Sequence, residues 1–483
     1  MAQVPALAEE SGPRAFGNRA VVTAATAWSA DIGARMLRRG GTVYDAAVAA
    51  ALAETVLLPP KCGLAGDLVA LVLRAGQAPP EALVAVGPAP RRLGAALRGR
   101  SLAATGGLSV GIPGAPAGYR ALAALGVVPL AELAAPAIAL ARQGFPWPAI
   151  SADLTALSAD LLREQNPDGT VYLPDGVPPA EGTATFLPGL AEVLERFVAD
   201  PERPFSGDLG DAVYEAVRSR GGVLERDELD TAESRWSSAA SLPDDRGLTF
   251  WATPPPTHGP SLLDAVDGMR AGLGQAELVE RVEAAVARRA ASGADTGAGG
   301  GTSVVSAADQ AGNAIVLVHS NSFQRYGSGI VVEPYGLVLS NRPGRGFTGV
   351  PGHPNFPAPG RRPVTTLHVW AARLDDGSIL TGATPGGENQ MRWNAQTLAG
   401  IRAGERDPGA LVAAPRWGRF GGRLMVEEGF ASDEVAALEA SDDVELVPRH
   451  SLRSAQQVLH LRRPDGSLVA GADPRTGAAA RAV

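Results

Sequence analysis

A glycine run divides this chain of 483 residues into two parts of different character. Before the run, alanine-rich segments with capping signals predict helices, and after it β-branched and alternating segments predict strands. The second part opens at Thr302 with TSVVSAADQAGNAIVLVHS, where a turn at residues 311–313 predicts a hairpin. A second hairpin is predicted to turn at residues 375–377. Helices first and strands later are compatible with the α+β class.

The segment GGTVYDAAVAAALAETVLL (residues 40–58) predicts a helix that is apolar on nearly every side. Such a helix has to be deeply buried, because no face of it favours water. Asp45 is its predicted N-cap. PPPTHGP (residues 254–260) predicts a rigid, extended connector. The other predicted elements are a buried strand over residues 67–75 and helices over residues 129–145, 207–222 and 277–291.

Composition excludes several functional classes. The net charge of −8 provides no basic surface for nucleic acid or an anionic membrane. A single cysteine, Cys62, rules out an intrachain disulfide, and the six histidines lack metal-ligand spacing, so we expect neither a metal nor a cofactor. The chain shows no secretory signal and no apolar stretch of about 18 residues, so we expect a cytoplasmic protein that does not enter a membrane.

The junction of Gly301 and Thr302 has a chemical interpretation. A threonine hydroxyl is a weak nucleophile, but at the start of a chain its own α-amino group, with a pKa of about 8, serves as the base. This requires cleavage of the Gly301–Thr302 bond. Glycines before the bond permit the backbone geometry in which the hydroxyl attacks the preceding carbonyl. From these residues alone, a loop that enters a strand is the alternative.

A series of short segments, taken in order, resembles the γ-glutamyltransferase family of N-terminal-nucleophile hydrolases, whose members mature by cutting before a catalytic threonine. The resemblance covers almost the whole chain. The segments that carry it are RMLRRGGTVYDAAVAAALAETVLLP, CGLAGDLV, SVGIPGAPAGY, LAAPAIALARQGFPW, PPPTHGPS, TSVVSAADQAGNAI, YGSGIVV, LSNRPGRGF, GRRPVTTL, ATPGGENQ, AAPRW and GADPR.

The resemblance implies a four-layer αββα sandwich, one globular unit made of two segments, residues 1–301 and 302–483, that remain together as a heterodimer. It makes Thr302 the nucleophile, Gly386 and Gly387 the oxyanion-hole pair, and Ser320 a hydroxyl residue that orients the nucleophile. From the residues alone, PGG is an ordinary turn and Ser320 is a strand end. The positions matched to substrate binding are Asn321, Ser322, Arg342, Thr365 and Thr366.

The chain departs from the family at the groups that bind glutamate. The family arginine that pairs with the α-carboxylate falls on Val86, and Arg91 and Arg92 could replace it only along a different backbone path. The acidic pair that binds the glutamate amine falls on Arg345 and Gly346. The resemblance therefore implies a substrate that is not a simple γ-glutamyl amide.

Two further features favour a different substrate. Only about 40 residues separate PPPTHGPS from Thr302, fewer than the family usually has, so a more open pocket is expected. Several basic residues suit an anionic or polar substrate of another shape: Arg342, Arg345, Arg392 and His319.

Four hypotheses follow. The leading one is a self-processing threonine amide hydrolase or acyltransferase that acts through an acyl-enzyme on a small, non-glutamyl metabolite. A second is a C–C bond hydrolase of natural-product (antibiotic) biosynthesis on the same scaffold. The others are a true γ-glutamyl transpeptidase or glutathione hydrolase, and an inactive relative with a binding or structural role.

Overall fold

The computed structural model of the protein describes residues 13–98, 100–244, 246–270, 272–291, 301–322 and 325–483. The glycine run predicted as the approach to Thr302 lies outside these residues, except for Gly301. The strands are β1 (Arg14–Gly17), β2 (Ala20–Ala24), β3 (Asp67–Leu73), β4 (Glu81–Ala85), β5 (Phe145–Pro146), β6 (Ala184–Thr185), β7 (Arg235–Ser238), β8 (Ala240–Pro243), β9 (Thr249–Ala252), β10 (Gly301–Asp309), β11 (Ala314–Ser322), β12 (Val331–Val332), β13 (Leu337–Val338), β14 (Trp370–Arg373), β15 (Ile379–Ala383), β16 (Trp417–Phe420), β17 (Arg423–Glu427), β18 (Val444–Val447), β19 (Gln457–Leu461), β20 (Leu468–Ala472) and β21 (Ala479–Ala482).

Helices account for most of the remaining regular structure. They are α1 (Ala27–Arg38), α2 (Val43–Leu57), α3 (Leu93–Ala96), α4 (Ala115–Ala123), α5 (Leu130–Gln143), α6 (Ala149–Ala156), α7 (Ala159–Gln165), α8 (Pro188–Ala199), α9 (Asp208–Arg218), α10 (Gly259–Val266), α11 (Gln275–Ala290), α12 (Arg342–Gly346), α13 (Asn389–Arg402), α14 (Pro408–Ala413) and α15 (Ser432–Ser441).

Two seven-stranded antiparallel sheets form the centre of the molecule. The first sheet has the order β21-β2-β10-β11-β3-β4-β7, and the second has the order β1-β20-β19-β15-β14-β9-β8. In the first sheet, β10 and β11 lie between β2 and β3, which come much earlier in the chain. Each sheet therefore combines strands from both sides of the Gly301–Thr302 bond.

The sheets pack face to face, and helices cover both outer faces. Side chains between the sheets come from both of them, for example Val69 and Val304 of the first and Ala371 and Leu459 of the second. Helices α1, α2 and α4 pack on the outer face of the first sheet, with α5 against α2 and α8 against α5, and α10, α11 and α13 pack on the outer side of the second sheet. This layer order is the αββα sandwich that the sequence resemblance implied.

The all-apolar helix predicted near residue 50 is α2, and every one of its residues is buried, as expected. Its N-cap is Thr42, so the prediction of Asp45 is wrong. Asp45 lies three residues further on, where its carboxylate accepts from Thr42 N at 2.8 Å while Thr42 Oγ1 accepts from Asp45 N at 3.3 Å. Neither α2 nor any other helix in the described ranges is long and apolar enough to cross a membrane.

The connector at residues 254–260 also differs from the prediction of an extended segment. Thr257 Oγ1 donates to Thr253 O at 2.8 Å and accepts from Gly259 N at 3.1 Å, which closes a turn, and α10 begins at Gly259. The remaining predicted elements are confirmed: β3, α5, α9, α11 and the hairpins β10–β11 and β14–β15.

Candidate active site

The candidate site is centred where β10 begins beside the end of β11. Thr302 pairs with Ser320 across the two strands, and their hydroxyl oxygens lie 3.0 Å apart. Thr302 is 2% exposed. The pairing is fixed by the nine-residue strands of a tight hairpin, so the predicted nucleophile and its predicted hydroxyl partner meet on one face of the sheet.

The Ser320 hydroxyl also contacts the bond that would be cut. Ser320 Oγ donates to the carbonyl oxygen of Gly301 and accepts from Ser322 N at 2.9 Å. Ser322 has a φ of 76°, a left-handed conformation that a serine adopts at an energetic cost. The Gly301 carbonyl, which Thr302 would attack, is therefore polarised by a hydroxyl donor.

Asn321 has a different environment from its two neighbours. The strand register shifts between Gly301 and Thr302, which leaves Asn321 unpaired opposite β10. Asn321 Nδ2 donates to the carbonyl of Pro59 at 3.1 Å, and its main-chain N donates to Lys61 O at 2.9 Å. Asn321 thus fixes the end of β11 against residues 59–61. Its side-chain amide does not contact the Thr302 hydroxyl.

The predicted oxyanion-hole pair lies in the turn between β15 and α13. Gly386 and Gly387 have φ values of 137° and 62°. A Cβ on Gly386 would come within 2.4 Å of the Trp393 ring, so the turn requires glycine on steric as well as conformational grounds. These constraints are those of a loop whose main-chain N–H groups approach a ligand closely.

Gln390, in the first turn of α13, connects this loop to Thr302. With its amide oriented to satisfy both neighbours, Gln390 donates to Thr366 O at 3.2 Å and accepts from Gly387 N at 3.3 Å. The end of the amide that faces Gly387 N also lies 3.5 Å from Thr302 Oγ1. An oxygen atom therefore fits between the candidate nucleophile and a candidate oxyanion donor, as acyl transfer requires.

Gln390 was not identified as a site residue from the sequence. It stands in the segment ATPGGENQ. An uncharged amide shortly after a predicted turn matches no catalytic sequence motif. Its position in the fold is therefore the only signal that identifies it.

The two predicted substrate-binding threonines precede β14, and their carbonyl oxygens contact two basic side chains, the buried His368 and the half-buried Arg289. His368 Nδ1 contacts the Thr366 carbonyl at 2.8 Å, and burial lowers the pKa of His368 to about 4, so its ring is neutral. Arg289 Nη2 donates to the Thr365 carbonyl at 2.7 Å, and burial lowers the pKa of Arg289 to about 9. The Thr365 hydroxyl accepts from Leu367 N at 3.1 Å, whereas the Thr366 carbonyl accepts from Gln390.

Arg342, the first residue of α12, contacts Asp67 at the start of β3. Arg342 Nε donates to Asp67 Oδ2 at 2.6 Å, and Gly87 N donates to Asp67 Oδ1 at 3.1 Å. Asp67 pairs with Ser320, so it lies two strands away from Thr302. Val86 is buried in the core between the sheets, as an apolar residue at the position of the family arginine should be.

Other basic residues suggested by the sequence are engaged elsewhere. Arg91 and Arg92 are each paired with a carboxylate of another segment, and Arg392 and His319, which the sequence suggested for an anionic substrate, are likewise each bound to a carboxylate. The pairs are Arg91 with Asp227, Arg92 with Glu225, Arg392 with Glu283, and His319 with Glu54.

His319 belongs to a buried hydrogen-bonded group on the helix side of the first sheet. Its Nε2 contacts Glu54 at 2.9 Å and its Nδ1 contacts Tyr119 Oη at 2.6 Å. Glu54, Cys62 and His319 are close enough together to ligate a metal ion. The Cys62 thiol donates to the carbonyl of Glu54, and burial raises its pKa well above the usual range, so these groups are satisfied by one another.

A four-layer αββα sandwich with a threonine at the start of an inner strand is the architecture of the N-terminal-nucleophile hydrolases. A cephalosporin acylase from Bacillus halodurans has this fold, and its structure matches with a TM-score of 0.85 and 26% identity, over 100% of this chain and 98% of that one. The family model described as Gamma-glutamyltranspeptidase matches residues 29–284 and 266–483. The chain belongs to the γ-glutamyltranspeptidase family.

Relatives of the chain include several hydrolases. An oxamate amidohydrolase proenzyme of Klebsiella pneumoniae is 28% identical, over 92% of this chain and 95% of the relative. An acylase proenzyme of a Pseudomonas species is 26% identical, over 88% and 87%. A glutathione hydrolase proenzyme of Escherichia coli is 24% identical, over 94% and 90%. The chain is thus an enzyme of this hydrolase family, similar to amidohydrolases and acylases as well as to glutathione hydrolases.

Proposed function

We propose that this enzyme cuts its own chain between Gly301 and Thr302 and then uses Thr302 to hydrolyse, or transfer the acyl group of, a small non-glutamyl amide. The observation that carries the proposal is the contact set of one hydroxyl. Ser320 Oγ donates to the Gly301 carbonyl oxygen and, at 3.0 Å, accepts from Thr302 Oγ1, so one hydroxyl contacts both the nucleophile and the electrophile.

The first reaction is an intramolecular acyl shift. Thr302 Oγ attacks the Gly301 carbonyl carbon, and the Ser320 hydroxyl stabilises the negative charge that develops on the carbonyl oxygen. Collapse of the tetrahedral intermediate breaks the C–N bond and leaves Gly301 esterified to Thr302 Oγ, with the proton of the hydroxyl transferred to the new amine. Water then hydrolyses the ester and frees Thr302 as an N-terminal residue.

The second reaction uses the amine made by the first. The α-amino group, with a pKa of about 8, accepts the proton of Thr302 Oγ as the hydroxyl attacks the substrate carbonyl. The main-chain N–H of Gly387 is available for the oxyanion once the Gln390 amide gives up its place there. The amine product leaves, and water or an acceptor amine releases the acyl group from Thr302.

A non-glutamyl substrate is favoured by the residues at and near the position of the family arginine that binds the glutamate α-carboxylate. Val86, at the position of the arginine that binds the α-carboxylate, is an apolar side chain packed between the sheets. Arg91 and Arg92 bind acidic side chains of another segment and cannot replace it. The similarity to an oxamate amidohydrolase and an acylase supports an amide substrate of another kind.

Mass spectrometry of the purified enzyme tests self-processing. We expect two fragments, residues 1–301 and residues 302–483, that co-purify as a heterodimer. The Thr302→Ala variant should remain one chain of 49.4 kDa, whereas Thr302→Ser keeps the nucleophile and should still be cut. A wild-type chain that stays whole on prolonged incubation would rule the proposal out.

Product analysis tests the reaction. Release of an amine or ammonia together with a carboxylic acid, from amides but not from glutathione, is the expected outcome. Efficient hydrolysis of glutathione would instead assign a true glutathione hydrolase. Release of a carboxylic acid without any amine would assign C–C bond cleavage, and a cut but inert protein would assign a binding role.

A further inference from the structure

The side-chain amide of Gln390 makes the contacts that a substrate amide would need. With the amide oriented as its neighbours require, its oxygen accepts from Gly387 N at 3.3 Å and its nitrogen donates to Thr366 O at 3.2 Å. The same oxygen lies 3.5 Å from Thr302 Oγ1. One carboxamide therefore contacts a candidate oxyanion donor, a main-chain acceptor and the candidate nucleophile.

The separation of 3.5 Å between Thr302 Oγ1 and the amide oxygen is the one expected for nucleophilic attack. A carbonyl bond is about 1.23 Å long, and an attacking oxygen approaches the carbonyl carbon to about 3 Å, at an obtuse angle to that bond. These values place the attacking oxygen about 3.5 Å from the carbonyl oxygen. The Gln390 amide therefore stands at the distance of a bound substrate from the hydroxyl.

The amide is also fully enclosed. Gln390 is 0% exposed, and Thr366, which accepts from the amide nitrogen, is 8% exposed. Because protein atoms surround the amide nitrogen, a group attached to a substrate nitrogen at this position would collide with them. An unsubstituted NH2 group fits there. The geometry thus favours a leaving group no larger than ammonia.

Part of this contact set has a purely structural interpretation. Helix α13 begins at Asn389, and its N-cap residue, Glu388, makes no side-chain capping bond. Gln390 in the first turn can supply a cap, because it accepts from the main-chain N–H of Gly387 just before the helix. A cap does not require the amide nitrogen to reach the Thr366 carbonyl, nor the amide to face Thr302.

We propose that Gln390 holds the place of the substrate amide, and that the enzyme acts on primary carboxamides, which displace this side chain and release ammonia. The inference rests on the proposed function, since it specifies the amide that Thr302 attacks. Thr302 Oγ bonds to the carboxamide carbon, the C–N bond breaks, and the hydroxyl proton passes through the α-amino group to the leaving NH2. Water then hydrolyses the ester to a carboxylic acid and free Thr302.

Acetamide tests the proposal, because its heavy atoms are those that Gln390→Ala removes, namely Cγ and the carboxamide group. The processed Gln390→Ala enzyme should release ammonia from acetamide at least about ten-fold faster than the wild type, since acetamide restores the hydrogen bonds to Gly387 N and Thr366 O. N-methylacetamide should be cleaved at least about ten-fold more slowly than acetamide by the same variant, because its methyl group overfills the site.

Other variants separate an open site from a general change in the helix. Gln390→Met fills the space with an apolar chain and should hydrolyse acetamide no faster than the wild type. Gln396→Ala is the matched control on the same helix, because Gln396 Nε2 donates to Trp417 O at 3.0 Å, and it should also match the wild type. Gln390→Ser leaves most of the same space and replaces Gln390→Ala if that variant does not fold.

A binding measurement does not depend on cleavage of the chain. Acetamide should raise the Tm of the uncut double variant Thr302→Ala/Gln390→Ala by more than that of uncut Thr302→Ala, because only the double variant has the site empty. N-methylacetamide should raise it less.

The outcomes are distinct. Acetamide hydrolysis that does not rise in Gln390→Ala, or N-methylacetamide cleaved as fast as acetamide, would overturn the inference and leave the proposed function intact. Loss of all amide hydrolysis in Gln390→Ala, with no rise in Tm from acetamide, would reduce Gln390 to a helix cap. A wild-type chain that is never cut would contradict the proposed function, and the Tm comparison would then decide whether acetamide takes the place of the Gln390 amide.

Discussion

Ser320 offers the sharpest test of how Thr302 is activated. Its hydroxyl contacts Thr302 Oγ1, the Gly301 carbonyl oxygen, Ser322 N and, at 3.4 Å, Ser322 O. Ser320→Ala removes these contacts without adding bulk. The contact with the Gly301 carbonyl is the one that strengthens as the tetrahedral intermediate forms, so its loss raises the barrier to cleavage and not only the energy of the folded chain.

The size of the effect follows from the role of the lost donor. Removing one oxyanion-hole donor slows acyl transfer about 10²–10³-fold, which is about 2.7–4 kcal/mol of barrier. We expect the half-time of Gly301–Thr302 cleavage in Ser320→Ala to lengthen by this factor. The free energy of unfolding should fall by only roughly 2 kcal/mol, because the carbonyl of Gly301 and the amide of Ser322 lose a partner each.

Cleavage is followed by gel electrophoresis and intact mass after rapid purification of the uncut chain. Ser320→Thr keeps a hydroxyl and should cleave within about ten-fold of the wild type. Ser303→Ala is the matched control, because Ser303 lies in the same strand and its hydroxyl has no partner among the described residues. Wild-type rates in Ser320→Ala would refute the role assigned to this hydroxyl.

Other predictions concern the loop and the buried charges. Gly386→Ala should abolish turnover and lower stability through a clash at 2.4 Å, whereas Gly377→Ala, with a φ of 83° in open space, should cost only about 1 kcal/mol in denaturant unfolding. The pKa of His368 is about 4 in the folded chain and about 6.5 in the unfolded chain. Between these values only the unfolded chain binds the proton, so the free energy of unfolding falls as the pH is lowered from 6.5 to 4. Unfolding at several pH values should show a loss of roughly 3 kcal/mol that His368→Gln lacks. Arg475→Met leaves the buried Glu427 without its ion-pair partner, while Asp473 keeps Arg416, and should cost about 3–5 kcal/mol, against less than about 1 for the exposed Arg423→Met.

Local patterns predicted much of the framework. The apolar helix α2, the hairpin β10–β11 and the place of Thr302 at a strand entrance follow from periodicity and turn residues. The sandwich itself came from resemblance, because pairings such as β10 with β2 join residues nearly 300 positions apart and leave no local signal. The N-cap of α2 was misplaced because Thr42 and Asp45 share one capping box, and the sequence does not show which of them caps.

The electrostatics of the site was harder to predict than its hydroxyl groups. Whether an arginine is free for a substrate depends on which carboxylate the fold brings to it, and those partners are distant in sequence. Arg92 meets Glu225, and Arg392 meets Glu283. Gln390 matters only because α13 begins beside β10, a relation that no spacing in the sequence encodes.

Because both sheets interleave strands from the two segments, folding before cleavage differs from refolding after it. The uncut chain folds as one molecule, so its folding rate does not depend on concentration. Once the bond before Thr302 is broken, β10 and β11 belong to one fragment and their neighbours β2 and β3 to another. Refolding of the cut enzyme is then a meeting of two molecules with unsatisfied sheet edges, slow when dilute and prone to aggregation when concentrated. Cleavage before Thr302 would therefore make unfolding effectively irreversible, and the cut enzyme would persist because it unfolds slowly.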